Sequence, residues 1–222
     1  MIPRRLLDGT TTDDGRELEL YQRGDEFFIQ IDRWDLMSSR SHGSEEAMAS
    51  LVREALGPRK GMRWLVGGLG LGYTLRACLE SLGNDDVVVV AEVFKAVVEW
   101  NRGPLAHLAD RPLDDPRVRV VVGDVFDQLG RSEPYDALLL DVDNGPEALT
   151  LSRNQRLYRH RGLDRLRDAL TPGGVLAVWS AGRDDRFKSR LEKAGFKARC
   201  HRVRARQDGK GERHTIFVGR KT

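Results

Sequence analysis

The chain has 222 residues, 40% of them hydrophobic and 32% charged, with a net charge of +3. That is enough chain for one α/β domain with a short appendage, and the composition excludes a disordered or membrane-embedded protein. No run of about eighteen apolar residues is present to span a bilayer. Met1 to Leu7 runs straight into Asp8-Gly9-Thr10 without the apolar stretch of a secretory leader, so a cytoplasmic protein is expected.

Residues 1–43 read as a small N-terminal β-hairpin region. Leu18 and Leu20 alternate with Glu17, Glu19 and Tyr21, Gly24-Asp25 marks a turn, and Phe27, Ile29 and Ile31 alternate again. Period-two patterning on both sides of a tight turn is the signature of paired strands. Ser38 to Gly43 is polar and reads as loop, with Met37 to Arg40 a candidate lid. Ser44 stands where it can cap a helix running to Leu56, which Gly57-Pro58 ends.

Residues 44–222 read as a second unit, in which short apolar runs alternate with helical stretches. Strands are expected over Arg63–Val66, Val87–Ala91, Val118–Val122, Ala137–Leu140 and Val175–Trp179. Helices are expected over Leu75–Leu82, Ala96–Ala109, Asp164–Leu170 and Asp185–Ala194. Near-continuous aliphatic strands separated by helices indicate a parallel sheet covered on both faces. Phe196–Val203 and His214–Val218 break that rhythm: a basic loop with no helix joins them, so an antiparallel hairpin closes the sheet. The expected fold is α/β, a seven-stranded, mostly parallel, Rossmann-like sheet with a terminal hairpin. Trp34, Trp64, Trp100 and Trp179 are all expected in the core. Cys78 and Cys200 read as buried or half-buried thiols of a reduced compartment. The basic run Arg202 to Arg213 has no interleaved aromatics and reads as a solvated loop, not as a nucleic-acid surface.

Four strand ends carry the chemistry. Gly67-Gly68-Leu69-Gly70-Leu71-Gly72 leaves the first strand and enters a helix; its glycines permit a tight turn and let backbone approach a ligand. The spacing Gly68-x-Gly70-x-Gly72 departs from the Gly-x-Gly-x-x-Gly of dinucleotide folds. Glu92 closes the next strand, where a carboxylate can accept hydrogen bonds from both hydroxyls of a ribose. Gly123-Asp124-Val125-Phe126 follows the third. Asp141-Val142-Asp143-Asn144-Gly145-Pro146 leaves the fourth, in the crevice where open α/β sheets bind ligands.

The run from Gly67 through Trp179 resembles the spermidine-synthase-like branch of the class I S-adenosylmethionine-dependent methyltransferase superfamily. Asp115 to Asp124 is similar to that family's adenine-side segment. Asp141 to Pro146 is similar to its Asp-Ser-Ser-Asp-Pro gate, and the hairpin with the helix around Glu46 to its small β domain. The resemblance implies a donor, S-adenosylmethionine or its decarboxylated form, held by Gly67, Gly68, Leu69, Gly70, Gly72, Glu92, Asp124, Val125 and Asp141. Asp124 would meet the adenine amino group, with Phe126 or Leu69 flanking the base. It also implies a small-molecule acceptor near Ser39, His42 and Asp143, a homo-oligomer, and no membrane partner. The chain departs from the family at three places. Gly70 stands where the family has an acid that helps hold the aminopropyl ammonium. Ser44-Glu45-Glu46 replaces Tyr-His-Glu, and Asn144 replaces the second gate acid.

A sulfonium donor is already activated, so the protein must align the acceptor and take its proton, the latter contributing roughly 10²–10⁴-fold. Asp141 is the first candidate base, Asp143 the second, and Asn144 a positioning group. No metal is expected: the strand ending at Val178-Trp179-Ser180-Ala181-Gly182 is followed by no Asp-Asn pair to add oxygen ligands, and a hard cation wants about six. An intact nucleoside site beside a missing aminopropyl anchor makes methyl, or other alkyl, transfer from S-adenosylmethionine to a small nucleophile the leading expectation. One alternative is aminopropyl transfer from the decarboxylated donor to a diamine, with Glu45, Glu46, Asp141 and Asp143 drawing the cation. The other is a non-catalytic nucleoside-binding protein.

Overall fold

The runs Val88 to Ala91 and Leu138 to Leu140 are buried along their whole length, so each strand needs cover on both sides of its pleat. The computed structural model describes residues 2–131, 133–142, 154–206 and 211–222, and it supplies that cover with helices. Seven strands form one sheet: β5 (Arg63–Gly67), β6 (Val87–Glu92), β7 (Val118–Val122), β8 (Tyr135–Leu140), β9 (Leu170–Ser180), β10 (Phe196–Arg204) and β11 (Arg213–Lys221). Their order is β10-β11-β9-β8-β5-β6-β7. The pairings β5–β6, β5–β8, β6–β7 and β8–β9 are parallel, while β11 runs antiparallel to both β9 and β10. The expected seven-stranded sheet with its terminal hairpin is the observed one.

Two helical layers sandwich this sheet. On one face lie α1 (Gly43–Leu56), α2 (Tyr73–Ser81) and α3 (Lys95–Arg102), packed with Trp64 and Val66 of β5. On the other lie α4 (Val125–Gln128), α5 (Gln155–Tyr158), α6 (His160–Asp168) and α7 (Asp185–Lys193), packed with Leu65 and Phe217. Each fully buried side chain of this size contributes about 2–3 kcal/mol by leaving water. Side-chain acids tie the strand starts: Asp86 accepts from the Met62 amide at 2.6 Å, and Asp136 from the Arg63 amide at 2.9 Å.

The N-terminal region is larger than a hairpin. The two strands read from the alternation, β2 (Glu17–Arg23) and β3 (Glu26–Ile31), are the inner pair of a four-stranded antiparallel sheet completed by β1 (Arg5–Thr11) and β4 (Trp34–Ser38). β1 escaped the periodicity because its side chains are almost all exposed, with a bulge between Leu6 and Asp8. The inward faces of β2 and β3 join the core of α1 to α3, and Trp100 donates its indole hydrogen to Asp8 at 2.7 Å.

Several local expectations are corrected. Trp34 is 78% exposed, because it follows the Asp32-Arg33 turn at the sheet's tip, where both residues have positive φ. Ser44 does not cap α1; His42 precedes the helix and makes no side-chain capping bond, and Ser44 is turned inward. The helix expected to Ala109 ends at Arg102, and Ala106–Ala109 is a separate 3₁₀ turn. Leu170 belongs to β9, not to the preceding helix. Both cysteines are free thiols, but Cys200 is exposed on the edge strand β10. No helix among the described residues is long and apolar enough to cross a membrane.

Candidate active site

The parallel strands all end on one side of the sheet, and a cleft of about 320 Å³ opens there. Its centre is the glycine loop after β5. Gly68, Gly70 and Gly72 adopt φ of 87°, 51° and 86°, backbone that a side chain resists. At Gly68 a Cβ would also strike the Asp141 carbonyl, so the glycine lets the β5 and β8 tips lie against each other. The Asp141 amide donates to the Gly67 carbonyl at 2.9 Å, and the Gly68 amide to the Ala91 carbonyl at 2.9 Å. A Cβ at Gly70 would meet the Met37 sulfur at 3.0 Å. The place of the family's anchoring acid is thus roofed by a thioether from β4.

On the β6–β7 flank, Glu92 is buried under the loop. Its two oxygens accept from the amides of Leu69 and Phe94, both at 2.9 Å. Burial raises its pKa, against the main-chain amides of Leu69, Phe94, Gly70 and Val93, which favour the charge. A ligand hydroxyl would share these oxygens with the loop amides. Asp124 begins α4, accepting from the Phe126 amide at 2.8 Å, while its other oxygen pairs with Arg156 at 2.7 Å. Phe126 lies under the guanidinium groups of Arg156 and Arg165. Leu69, not Phe126, faces the cleft.

At the β8 tip, Asp141 accepts the Thr74 hydroxyl at 2.7 Å. Desolvation by the surrounding protein raises its pKa, and the Thr74 bond opposes that shift. Beyond it, on the β9–β11 flank, Glu45 faces the same space. Burial, then the Asp141 charge, push Glu45 up to about 8, although the Ser44 hydroxyl pulls it down. Ser44 joins three elements: its oxygen lies 2.6 Å from Glu45, 2.9 Å from Nδ1 of His214 on β11, and 3.0 Å from Nε1 of Trp179 on β9. Trp179 and His214 pack edge to face at 4.6 Å. Desolvation lowers the His214 pKa.

The cleft therefore gathers Gly68, Leu69, Gly70, Glu92, Asp124, Val125 and Asp141 from the expected donor set. Gly67 and Gly72 shape the loop from behind it, as the last residue of β5 and the residue before α2. Ser39 and His42, two of the expected acceptor residues, are not among the residues lining the cleft. Ser39 spends its hydroxyl on the Phe27 amide, and His42 stacks on Tyr73 at 4.2 Å while meeting Glu46. Glu46 also pairs with Arg76, so its charge is neutralised outside the cleft. Asp143 and Asn144 lie outside the described residues. Sequence reasoning missed Thr74 and His214; Trp179, expected in the core, packs against it and also lines the cleft. Thr74 could have been found from its place just after the glycine loop; Trp179 and His214 have no local signal.

No family model matches the chain. Two curated proteins of Streptomyces coelicolor do. Polyamine aminopropyltransferase 1 is 33% identical over 168 residues, 74% of this chain and 28% of that protein. Polyamine aminopropyltransferase 2 is 33% identical over 211 residues, 89% of this chain and 34% of that protein. The chain thus spans about a third of the length of these relatives. In fold it matches the crystal structure of spermidine synthase from Thermotoga maritima, with a TM-score of 0.76 and 18% identity over 98% of this chain and 73% of that one. These matches correct the leading functional expectation: the curated relatives carry the name of aminopropyl transfer, not methyl transfer. A missing acid at Gly70 was too narrow a ground for choosing the methyl donor.

Proposed function

From the premise that this chain is spermidine synthase-like in sequence and fold, we propose that it transfers an aminopropyl group from decarboxylated S-adenosylmethionine to an amine. The observation that carries this reading is the facing pair of desolvated carboxylates, Asp141 and Glu45, beyond the nucleoside flank of one continuous cleft. Two acids that cannot both ionise freely in a desolvated space are best served by a cation between them. An amine acceptor is such a cation; a neutral hydroxyl is not.

In this reading Glu92 receives the ribose hydroxyls, and Leu69 with Val125 walls the base. Asp124 is left with less capacity for the adenine amino group than the sequence implied, since Arg156 and the Phe126 amide share its oxygens. The donor supplies an electrophilic carbon on a sulfonium. Asp141, held by Thr74, accepts a hydrogen bond from the attacking nitrogen and aims its lone pair at that carbon. The new C–N bond forms as the C–S bond breaks, the bonding electrons go to sulfur, and the thioether nucleoside leaves with its sulfur uncharged. A small-molecule amine, a homo-oligomer and a cytoplasmic setting belong to the same proposal.

The test incubates the protein with decarboxylated S-adenosylmethionine and a panel of mono-, di- and triamines, and follows methylthioadenosine and N-aminopropylated amine by mass spectrometry. Amine-dependent appearance of both supports the reading. Absence of methylthioadenosine with every amine, in protein that binds the nucleoside, overturns it.

A further inference from the structure

Transfer between a sulfonium and an ammonium releases one proton. The reacting centres begin with two positive charges; afterwards the thioether carries none and the alkylated ammonium one. A proton must therefore leave a desolvated cleft in each turnover. The Glu45–Ser44–His214 chain has the geometry for that exit. We propose that Glu45 takes the proton from the acceptor nitrogen and that Ser44 relays it to His214. This rests on the amine-transfer reading above.

Hydrogen-bond directions set what this chain can do. The Trp179 indole has only a hydrogen to give, so it always donates to the Ser44 oxygen, at 3.0 Å. Ser44 has one hydrogen of its own and two neighbours within reach, Glu45 at 2.6 Å and His214 Nδ1 at 2.9 Å. Two arrangements of this chain differ by the passage of one proton from end to end. With the proton on Glu45, the carboxyl donates to Ser44 and Ser44 donates to a bare Nδ1. With the proton on Nδ1, the imidazole donates to Ser44 and Ser44 donates to the carboxylate. Passing between them breaks one O–H on Glu45, exchanges the serine hydrogen, and makes one N–H on His214; no other reactant is needed. His214, now doubly protonated, releases a proton to water in the cleft it lines, and exchange with that water returns the ring to the tautomer with a bare Nδ1.

The surroundings fit a relay better than a static brace. Ser44 is fully buried on α1, whereas Glu45 and His214 both face the cleft. The charged groups acting on the chain are Asp141 at the β8 tip and Glu46 on α1, which oppose a charged Glu45, and Glu212 before β11, which favours a charged His214. Asp141 is bonded to Thr74, while the Ser44 hydroxyl lies with Glu45, His214 and Trp179. Glu46 is taken up by Arg76 and His42 and stays out of the path.

Two measurements test this. The first needs no substrate: the His214 ring is titrated by NMR in the wild type, Glu45→Gln, Ser44→Ala and the double variant, with His214→Gln supplying the assignment. A relay predicts that Glu45→Gln moves the His214 titration, and that the same replacement in Ser44→Ala moves it no further. Identical His214 titrations in the wild type, Glu45→Gln and Ser44→Ala overturn the proposal. The second is kinetic, with the decarboxylated donor and an amine. Ser44→Ala and His214→Gln should each lower kcat on the order of 10²-fold, the low end of what a positioned proton acceptor supplies, with KM for both substrates kept and Ser44→Thr restoring the rate. Wild-type kcat in Ser44→Ala sinks the relay while leaving amine transfer standing. A wild type that releases no methylthioadenosine sinks amine transfer, and the titration still decides the relay.

Discussion

The two flanks of the cleft are built by different means. The β6–β7 side is shaped by main chain: positive-φ glycines and one acid, Glu92, clamped by amides of the neighbouring loops. Every part comes from the end of a strand or the few residues after it. On the β9–β11 side, side chains meet side chains across the whole sequence; Ser44 and His214 are 170 positions apart. The first flank is preorganised by the fold itself, and the second by packing that any one substitution can undo.

The sharpest way to break that contrast is Asp141→Asn, at the boundary. If the flanks divide the labour as described, kcat falls on the order of 10²–10⁴-fold, while calorimetry shows methylthioadenosine binding within a few-fold of wild type. A parallel loss of nucleoside affinity would mean that Asp141 belongs to the donor flank. Glu92→Ala should do the reverse. It strands the Leu69 and Phe94 amides at a cost of about 1–3 kcal/mol each, so urea midpoints drop and nucleoside affinity falls on the order of 10²-fold. Gly68→Ala should destabilise by about 1–3 kcal/mol through its φ and its collision with the Asp141 carbonyl, and unlike the other two it should damage both flanks.

Acidity separates the flanks more gently. Glu45 must be ionised to take a proton, and its carboxyl is pushed up to about 8. The carboxylate fraction therefore grows as pH rises through that value, and kcat/KM for the amine, which reports the free enzyme, should climb with it. Glu45→Gln should remove that limb from the profile. The smallest effect is expected from Arg156→Ala. This partner of Asp124 is 45% exposed, and such pairs are worth about 0–1 kcal/mol, so nucleoside affinity should change by no more than several-fold.

The same contrast explains what could be read in advance. The central sheet, the terminal hairpin and the gathering of strand-tip residues at one cleft were legible because each is local: an aliphatic run, a glycine cluster, an acid where the run stops. Hidden features are those in which tertiary contact overrides local habit. Ser44 has the residue type and position of a helix cap, but Trp179 and His214 draw its hydroxyl inward. Met37 looked like part of a lid, yet it is a strand residue set over Gly70. Trp34 looked like core because tryptophan usually is, and the turn at Asp32-Arg33 carries it into water instead.

The order of the strands bears on stereochemistry. The helix that follows β5 belongs to one layer, and the helices that follow β8 belong to the other, so a gap opens above two adjacent tips. Under the proposed transfer, a nucleoside entering from one side and an amine from the other would converge over that gap in line. Collinear approach is the geometry of backside displacement, and a chirally deuterated propyl carbon would emerge from it inverted.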